Sequence, residues 1–199
     1  YDLFAHCPVP LVLVDGQSDN HFIESILFSN EGSAYRAVRS LVRRGHRQIG
    51  YLAGKLRIRN FPLRERGYER ALAEVGVQPQ AKFRVSLGTD KMENAYRDML
   101  EWLQREPEMP TAFFAENDAL AVGAMKALAE CGFDIPGDVS IVGFDDVEFA
   151  GVAHPALTTV HVPRTDLGRI AVRKLIEQVE QPTEYTCVTH LSTRFVERE

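Results

Sequence analysis

The chain is 199 residues long, with 45% hydrophobic and 26% charged residues, enough apolar material to bury a sizeable core, which excludes both a disordered tail and a disulfide-held miniprotein. Lys plus Arg number 23 against 28 for Asp plus Glu, a formal charge of −5, so no general attraction to phosphate backbones or anionic lipid is expected. No apolar run approaches the ~18 residues of a membrane helix, Tyr1 and the residues after it lack the features of a secretory signal, and Cys7, Cys131 and Cys187 form no CxxC pair; a reducing cytoplasm is the expected setting, with no membrane, zinc cluster or disulfide framework.

In chain order, residues 9–14 are nearly continuous in apolar side chains and stop at Asp15-Gly16, the pattern of a strand covered on both faces. Ala34, Ala37, Val38, Leu41 and Val42 then share a helical face, with Arg36, Arg39 and Arg43 outside and Gly45 placed as a C′ residue. In an acidic chain those arginines read as a solvated face rather than a nucleic-acid patch, and His46, just beyond, reads as a cation at a helix C-terminus. A second strand over 49–53 stops at Gly54, and Leu63, Tyr68, Ala71, Leu72 and Val75 form the next helical stripe, opened by Pro62 and closed by Gly76. A weaker strand over 83–87 precedes a helix carrying Tyr96, Met99, Leu100 and Leu103. The strand at 111–115 stops at Glu116-Asn117-Asp118, and Leu120, Ala121, Ala124, Leu128 and Ala129 make a helix ending at Gly132. The strand at 139–144 stops at Asp145-Asp146; a late run over 157–162 leads into Pro163 and a last stripe of Leu167, Ile170, Ala171, Leu175 and Val179.

Alternating strands and helices predict a mostly parallel sheet with helices on both faces. Ligands of such sheets sit beyond the carboxyl ends of the strands, which here carry Asp15, residues 55–64, Asn117 with Asp118, and Asp145 with Asp146. Carboxylates, an amide and guanidinium groups engage neighbouring hydroxyls with paired hydrogen bonds, so a polyhydroxylated small molecule fits.

Six segments then stand in a recognisable order: Val-Pro-Leu-Val-Leu-Val-Asp at 9–15, Arg-Gly-His-Arg-Gln-Ile-Gly-Tyr-Leu-Ala-Gly at 44–54, Arg-Glu-Arg-Gly-Tyr-Glu-Arg-Ala-Leu at 64–72, Pro-Thr-Ala-Phe-Phe-Ala-Glu-Asn-Asp at 110–118, Ile-Pro-Gly-Asp-Val-Ser-Ile-Val-Gly-Phe-Asp-Asp at 135–146, and Pro-Ala-Leu-Thr-Thr-Val at 155–160. With them the chain resembles the effector-binding core of LacI/GalR transcription regulators from residue 9 to residue 194. The resemblance implies an α/β, periplasmic-binding-protein-like (type I) fold: two doubly wound parallel-sheet subdomains joined by three crossings, the effector between them. It also implies a missing helix-turn-helix headpiece and missing first βα units, leaving an incomplete N-terminal subdomain over 1–28 plus 161–187 and a C-terminal subdomain over 29–160 plus 188–199. An incomplete subdomain should expose a sheet edge and an apolar face.

The same resemblance assigns Asp145, Asn117, Arg64 and Asp15 to ligand binding. Each has an ordinary alternative: turn residues for Asp145 and Asp15, an exposed first-turn side chain for Arg64, and an N-cap for Asn117, a role that the adjacent Asp118 would take if Asn117 faces the ligand. No Gly-x-Ser-x-Gly elbow, Walker A loop, Gly-x-Gly-x-x-Gly or HExxH occurs, so no catalytic residue, metal or cofactor is assigned and the chain is not read as an enzyme. The expected partners are a sugar or sugar derivative, a second copy of the chain, and operator DNA reached through the absent headpiece; a periplasmic sugar-binding protein of a transport system is the alternative. Where sugar-binding relatives carry an aromatic wall, this chain has Gly88-Thr89-Asp90, and Lys55, Arg57, Arg59 and Arg164 crowd the expected mouth, which makes an anionic sugar derivative a further alternative.

Overall fold

The computed structural model describes residues 9–16, 23–56, 58–88, 91–183 and 185–198, and the chain divides into two compact units, Tyr1–Ser29 with Val162–Thr193 and Asn30–His161 with Arg194–Glu199. The sequence placed the last crossing before residue 188. The division falls six residues later, because Val188–Leu191 pairs with a strand of the first unit.

In the first unit, β1 (Val12–Val14), β2 (Glu24–Phe28) and β8 (Val188–Leu191) form a parallel sheet in the order β1-β2-β8. β1 is shorter than the expected 9–14 strand and is not covered on both faces: it lies at the sheet edge, and Val14 is exposed. Helix α6 (Arg164–Glu180) packs on β1 and β2 through Leu167 and Ala171. Leu175 and Val179, read as buried members of its stripe, are exposed together with Val172 and Ile176. Asp15 follows β1 with φ +55, its N–H bonded to the Ile26 carbonyl at 2.9 Å.

In the second unit, β3 (Ile49–Gly54), β4 (Arg84–Leu87), β5 (Ala112–Ala115) and β6 (Ser140–Val142) form a parallel sheet in the order β4-β3-β5-β6. β7 (Thr159–His161) pairs antiparallel with β9 (Arg194–Val196), and bridges from Val142 to Thr158 and from Asp145 to His161 join it to the end of β6. α1 (Asn30–Arg43) packs on α2 (Phe61–Ala73), and α3 (Met92–Leu103) on α4 (Asp118–Glu130). The pleat sends alternate strand residues to opposite faces: Leu52, Phe113 and Ile141 join α3 and α4 in one core cluster, whereas Tyr51 meets Tyr68 of α2 at 4.9 Å and Phe114 at 6.0 Å between ring centroids. Glycines bring the helix pairs close. A Cβ at Gly67 of α2 would lie 2.3 Å from the Glu31 carbonyl oxygen, and one at Gly123 of α4 would lie 2.7 Å from that of Met92.

α2 stops at Ala73, so Val75 lies outside the helix and exposed. Gly45, Gly76 and Gly132 adopt the positive φ of helix C-terminal turns. His46 is not the expected cation: partial burial, and then Arg44 beside it, push its pKa below the usual histidine value, and its Nδ1 lies 2.9 Å from Thr111 Oγ1. A short helix, α5 (Glu148–Val152), follows the Asp145-Asp146 turn. Among the described residues, no helix is long and apolar enough to cross a membrane.

Candidate ligand site

The carboxyl ends of β3, β5 and β6 meet around one buried guanidinium. Arg64 sits in the first turns of α2 yet is only 3% exposed, because α2 starts beside the end of β3 and turns this side chain inward. Its Nε donates to Asn30 Oδ1 at 2.9 Å, Nη1 to the Glu116 carbonyl oxygen and Nη2 to Asp145 Oδ1 at 3.1 Å. The guanidinium carbon lies 3.8 Å from the centroid of the Phe144 ring, a stacked cation–π contact in a desolvated setting. The reading of Arg64 as an exposed first-turn side chain is thereby excluded, and three of its five N–H donors are committed to the protein.

Asp145 follows β6 with φ +116 and Asp146 has φ +55, two successive side-chain-bearing residues in conformations that favour glycine. Surrounding bonds hold them there. The Asp145 N–H donates to the Val160 carbonyl at 2.9 Å, while Asp146 Oδ1 accepts from Arg198 at 2.5 Å and its Oδ2 lies 2.8 Å from His161 Nδ1. Partial burial acts to raise the Asp146 pKa, but the hydrogen bonds from Arg198 and His161 outweigh it and hold the carboxyl below the usual range. Asp145 and Asp146 therefore have different tasks: Asp146 is spent on the turn, and Asp145 keeps a partly open carboxylate, its side chain 28% exposed.

Asn117 is the N-cap of α4, its Oδ1 accepting from the Leu120 N–H at 2.9 Å. This corrects the division of labour drawn from the sequence, which gave the cap to Asp118. Asp118 is instead buried: Oδ1 accepts from the Thr159 hydroxyl at 2.5 Å, Oδ2 from the Val147 N–H at 3.0 Å, and its own N–H donates to the Phe144 carbonyl at 2.8 Å. Burial raises its pKa to about 6, against the opposing hydrogen bonds from Thr159 and Val147. Gly143 makes room for it, since a Cβ there would lie 2.3 Å from Asp118 Oδ1. With its oxygen committed to the cap, Asn117 has its Nδ2 protons left to offer a ligand.

Two residues not singled out from the sequence complete the cluster. Glu116 is fully buried, Oε1 accepting from the Tyr51 hydroxyl at 2.7 Å and Oε2 from the Gly54 N–H at 2.6 Å, so it ties the end of β3 to the end of β5. Asn30, the first residue of α1, orients Arg64. The sequence signal for Glu116 was its place in Glu116-Asn117-Asp118; Asn30 gave none.

Arg64, Asn117 and Asp145 thus gather at adjacent strand ends of the second unit. Asp15 belongs to the first unit. Lys55 is paired with Asp98 at 2.7 Å, and the same carboxylate accepts from the Gly88 N–H at 2.7 Å. Arg59 and Arg164 are exposed; Arg57, Thr89 and Asp90 lie outside the described residues. No group of three or more potential metal ligands occurs among the described residues.

Residues 38–199 match the family described as periplasmic binding protein-like domain. The HTH-type transcriptional repressor PurR of Erwinia tasmaniensis is 34% identical over 194 residues, 97% of this chain and 56% of that protein; the chain spans about half the length of the curated relatives it matches. A structure from Sanguibacter keddieii assigned to the LacI family of transcriptional regulators is 31% identical, with a TM-score of 0.87 over 96% of this chain and 73% of that one. A LacI-family regulator from Enterococcus faecium with bound ribose is 26% identical, with a TM-score of 0.83 over 95% of this chain and 69% of that one. A sugar-binding LacI-family regulator from Escherichia coli complexed with phosphate is 26% identical, with a TM-score of 0.82 over 99% and 69%. These relatives are transcription regulators, not enzymes.

Proposed function

The chain belongs to the LacI family of transcriptional regulators and carries a periplasmic-binding-protein-like effector core; from this premise we propose that it senses a small polyhydroxylated ligand, held by Arg64, Asn117 and Asp145. The observation that carries the reading is the pairing of the buried Arg64 guanidinium with the partly open Asp145 carboxylate, at strand ends adjacent to the one that carries Asn117. Such a set offers a carboxylate acceptor and amide and guanidinium donors, the groups that grip vicinal hydroxyls in pairs. The Enterococcus faecium relative with bound ribose points the same way.

The ligand of this reading is neutral. Arg64 is balanced by Asp145 and Lys55 by Asp98, which favours a neutral ligand, and the anionic alternative would rest on Arg57, Arg59 or Arg164. Effector binding in the intact regulator, a cytoplasmic homodimer, shifts the population of core conformations and through it the grip of a helix-turn-helix headpiece on operator DNA.

A thermal-shift screen of the intact regulator tests the ligand class, because a ligand that binds only the native state raises Tm. Neutral sugars should stabilise it. Stabilisation by sugar phosphates, sugar acids or nucleobases alone would overturn the neutral-sugar reading while leaving the effector site in place. Calorimetry with Asp145→Ala and Asn117→Ser then tests the site: unchanged affinity in both would displace it. The gene upstream of Tyr1 separates a regulator from a transport binding protein, the first requiring a helix-turn-helix and the second a signal peptide.

A further inference from the structure

A cavity of about 270 Å³ lies in the second unit against β6, lined by Ser140, Ile141 and Val142 of that strand and by none of Arg64, Asn117 and Asp145. Leu41, Ile135, Ile141, Leu157 and Phe195 give it apolar walls, and Arg44 and Arg198 stand among its lining residues. A groove lined by Arg36, Arg39, Arg43 and again Arg44 and Phe195 adjoins it. The arginine face of α1 is therefore more than a solvated helix surface: it borders an apolar hole.

Around this cavity arginines outnumber carboxylates, in a chain of net charge −5. Five arginines line the cavity and groove together, and the one carboxylate among the lining residues is Glu197, ion-paired with Arg44. Outside the lining, Glu74 lies 3.6 Å from Arg39 and Asp146 accepts from Arg198. We propose that this cavity is a second binding site, for a small amphiphilic carboxylate. The hydrocarbon or aromatic body rests on Ile135, Ile141 and Phe195, and the carboxylate takes the Arg44 guanidinium from Glu197. A planar guanidinium matches a carboxylate bidentately, and Glu197 is exposed enough to return to water. Occupancy bears on the strand-end cluster through Arg198, which lines the cavity while donating to the Leu157 carbonyl at 2.7 Å and to Asp146 at 2.5 Å. The inference stands independently of the ligand proposed for that cluster.

Three probes separate body from charge: 1-naphthoate, its neutral analogue 1-naphthamide, and acetate, each titrated calorimetrically and by thermal shift into the full chain. Naphthoate should bind and raise Tm, naphthamide should bind on the order of fivefold or more weakly, and acetate should do neither. Ala156→Trp, which fills the hole from a lining position, should abolish naphthoate binding. Arg44→Gln, at a side chain 55% exposed and so tolerated by the fold, should weaken it several-fold and remove the preference over the amide. No naphthoate binding to the parent chain, equal affinity for the amide, or binding untouched by Arg44→Gln would each overturn the proposal.

Discussion

α1 and α6 carry the same kind of sequence and meet different fates. Both show apolar residues at helical spacing, yet α1 buries Ala34, Ala37, Val38, Leu41 and Val42, whereas α6 buries Leu167 and Ala171 and leaves Val172, Ile176 and Val179 at 59%, 50% and 62% exposure. The second unit surrounds its sheet with helix pairs on both faces. In the first, one helix packs on a three-stranded sheet among the described residues, and the outer stripe of α6 has no cover there. Amphipathic periodicity records which side chains gain from burial; whether burial occurs depends on what the rest of the fold brings to that face.

The contrast is sharpest in stability. Phe114→Ala, at a fully buried position in the sheet of the second unit, should cost about 3–5 kcal/mol in urea unfolding. Arg64→Met should cost a comparable ~3–5 kcal/mol because it removes the buried guanidinium that donates to Asn30, Glu116 and Asp145, and Arg64→Lys should not rescue effector binding, since an ammonium lacks the three-way fork.

The next effect is one of pH. Asp118 titrates near 6 in the fold against 3.8 unfolded, so between these values the native state holds the extra proton and stability falls as pH rises, by on the order of 3 kcal/mol in full. Asp118→Asn should flatten that slope in unfolding curves taken from pH 4 to 7. The depressed Asp146 carboxyl works oppositely: its contribution is present above the usual carboxylate pKa and is lost as pH falls below it.

Smaller changes follow at Asn117 and on α6. Asn117→Ala removes the cap and should cost about 1 kcal/mol, whereas Asn117→Ser keeps a capping oxygen and should cost a few tenths. Both should lose effector affinity by calorimetry if the Nδ2 protons meet the ligand. Ile176→Ser should change stability by less than ~0.5 kcal/mol; a cost of several kcal/mol would show that the exposed stripe of α6 is covered in solution and would break the comparison.

Much of this was legible in the sequence where one physical signal dominated. β3, β5 and β6 are short apolar runs ending at polar turns, and Pro62, Gly45, Gly76 and Gly132 punctuate the helices. β2 escaped because it opens with Glu24-Ser25, both buried against the pattern. β8 and β9 escaped because they are half-exposed strands of polar alternation, and α5 is too short to show a period. At the strand-end cluster, the family pattern singled out Arg64, Asn117 and Asp145, which the fold brings to adjacent strand ends, but two neighbouring residues can exchange roles with a one-residue shift of the helix start. Asn117 and Asp118 did so, because Thr159 on β7, the Val147 N–H and the space at Gly143 receive the aspartate inward.

The paired left-handed conformations at Asp145 and Asp146 set heat resistance against sensing. Each costs roughly 1–3 kcal/mol that glycine would not incur, but Asp145→Gly would also strip the buried Arg64 guanidinium of its carboxylate, a loss of about 3–5 kcal/mol that outweighs the relieved strain. Directed evolution of the intact regulator for heat resistance alone should drift toward asparagine at 145, which tolerates a positive φ and still offers Arg64 an acceptor oxygen, and the clones recovered should respond more weakly to the effector proposed for this site. Evolution under alternating selection for heat resistance and effector response should keep the aspartate and gather its gains elsewhere in the chain.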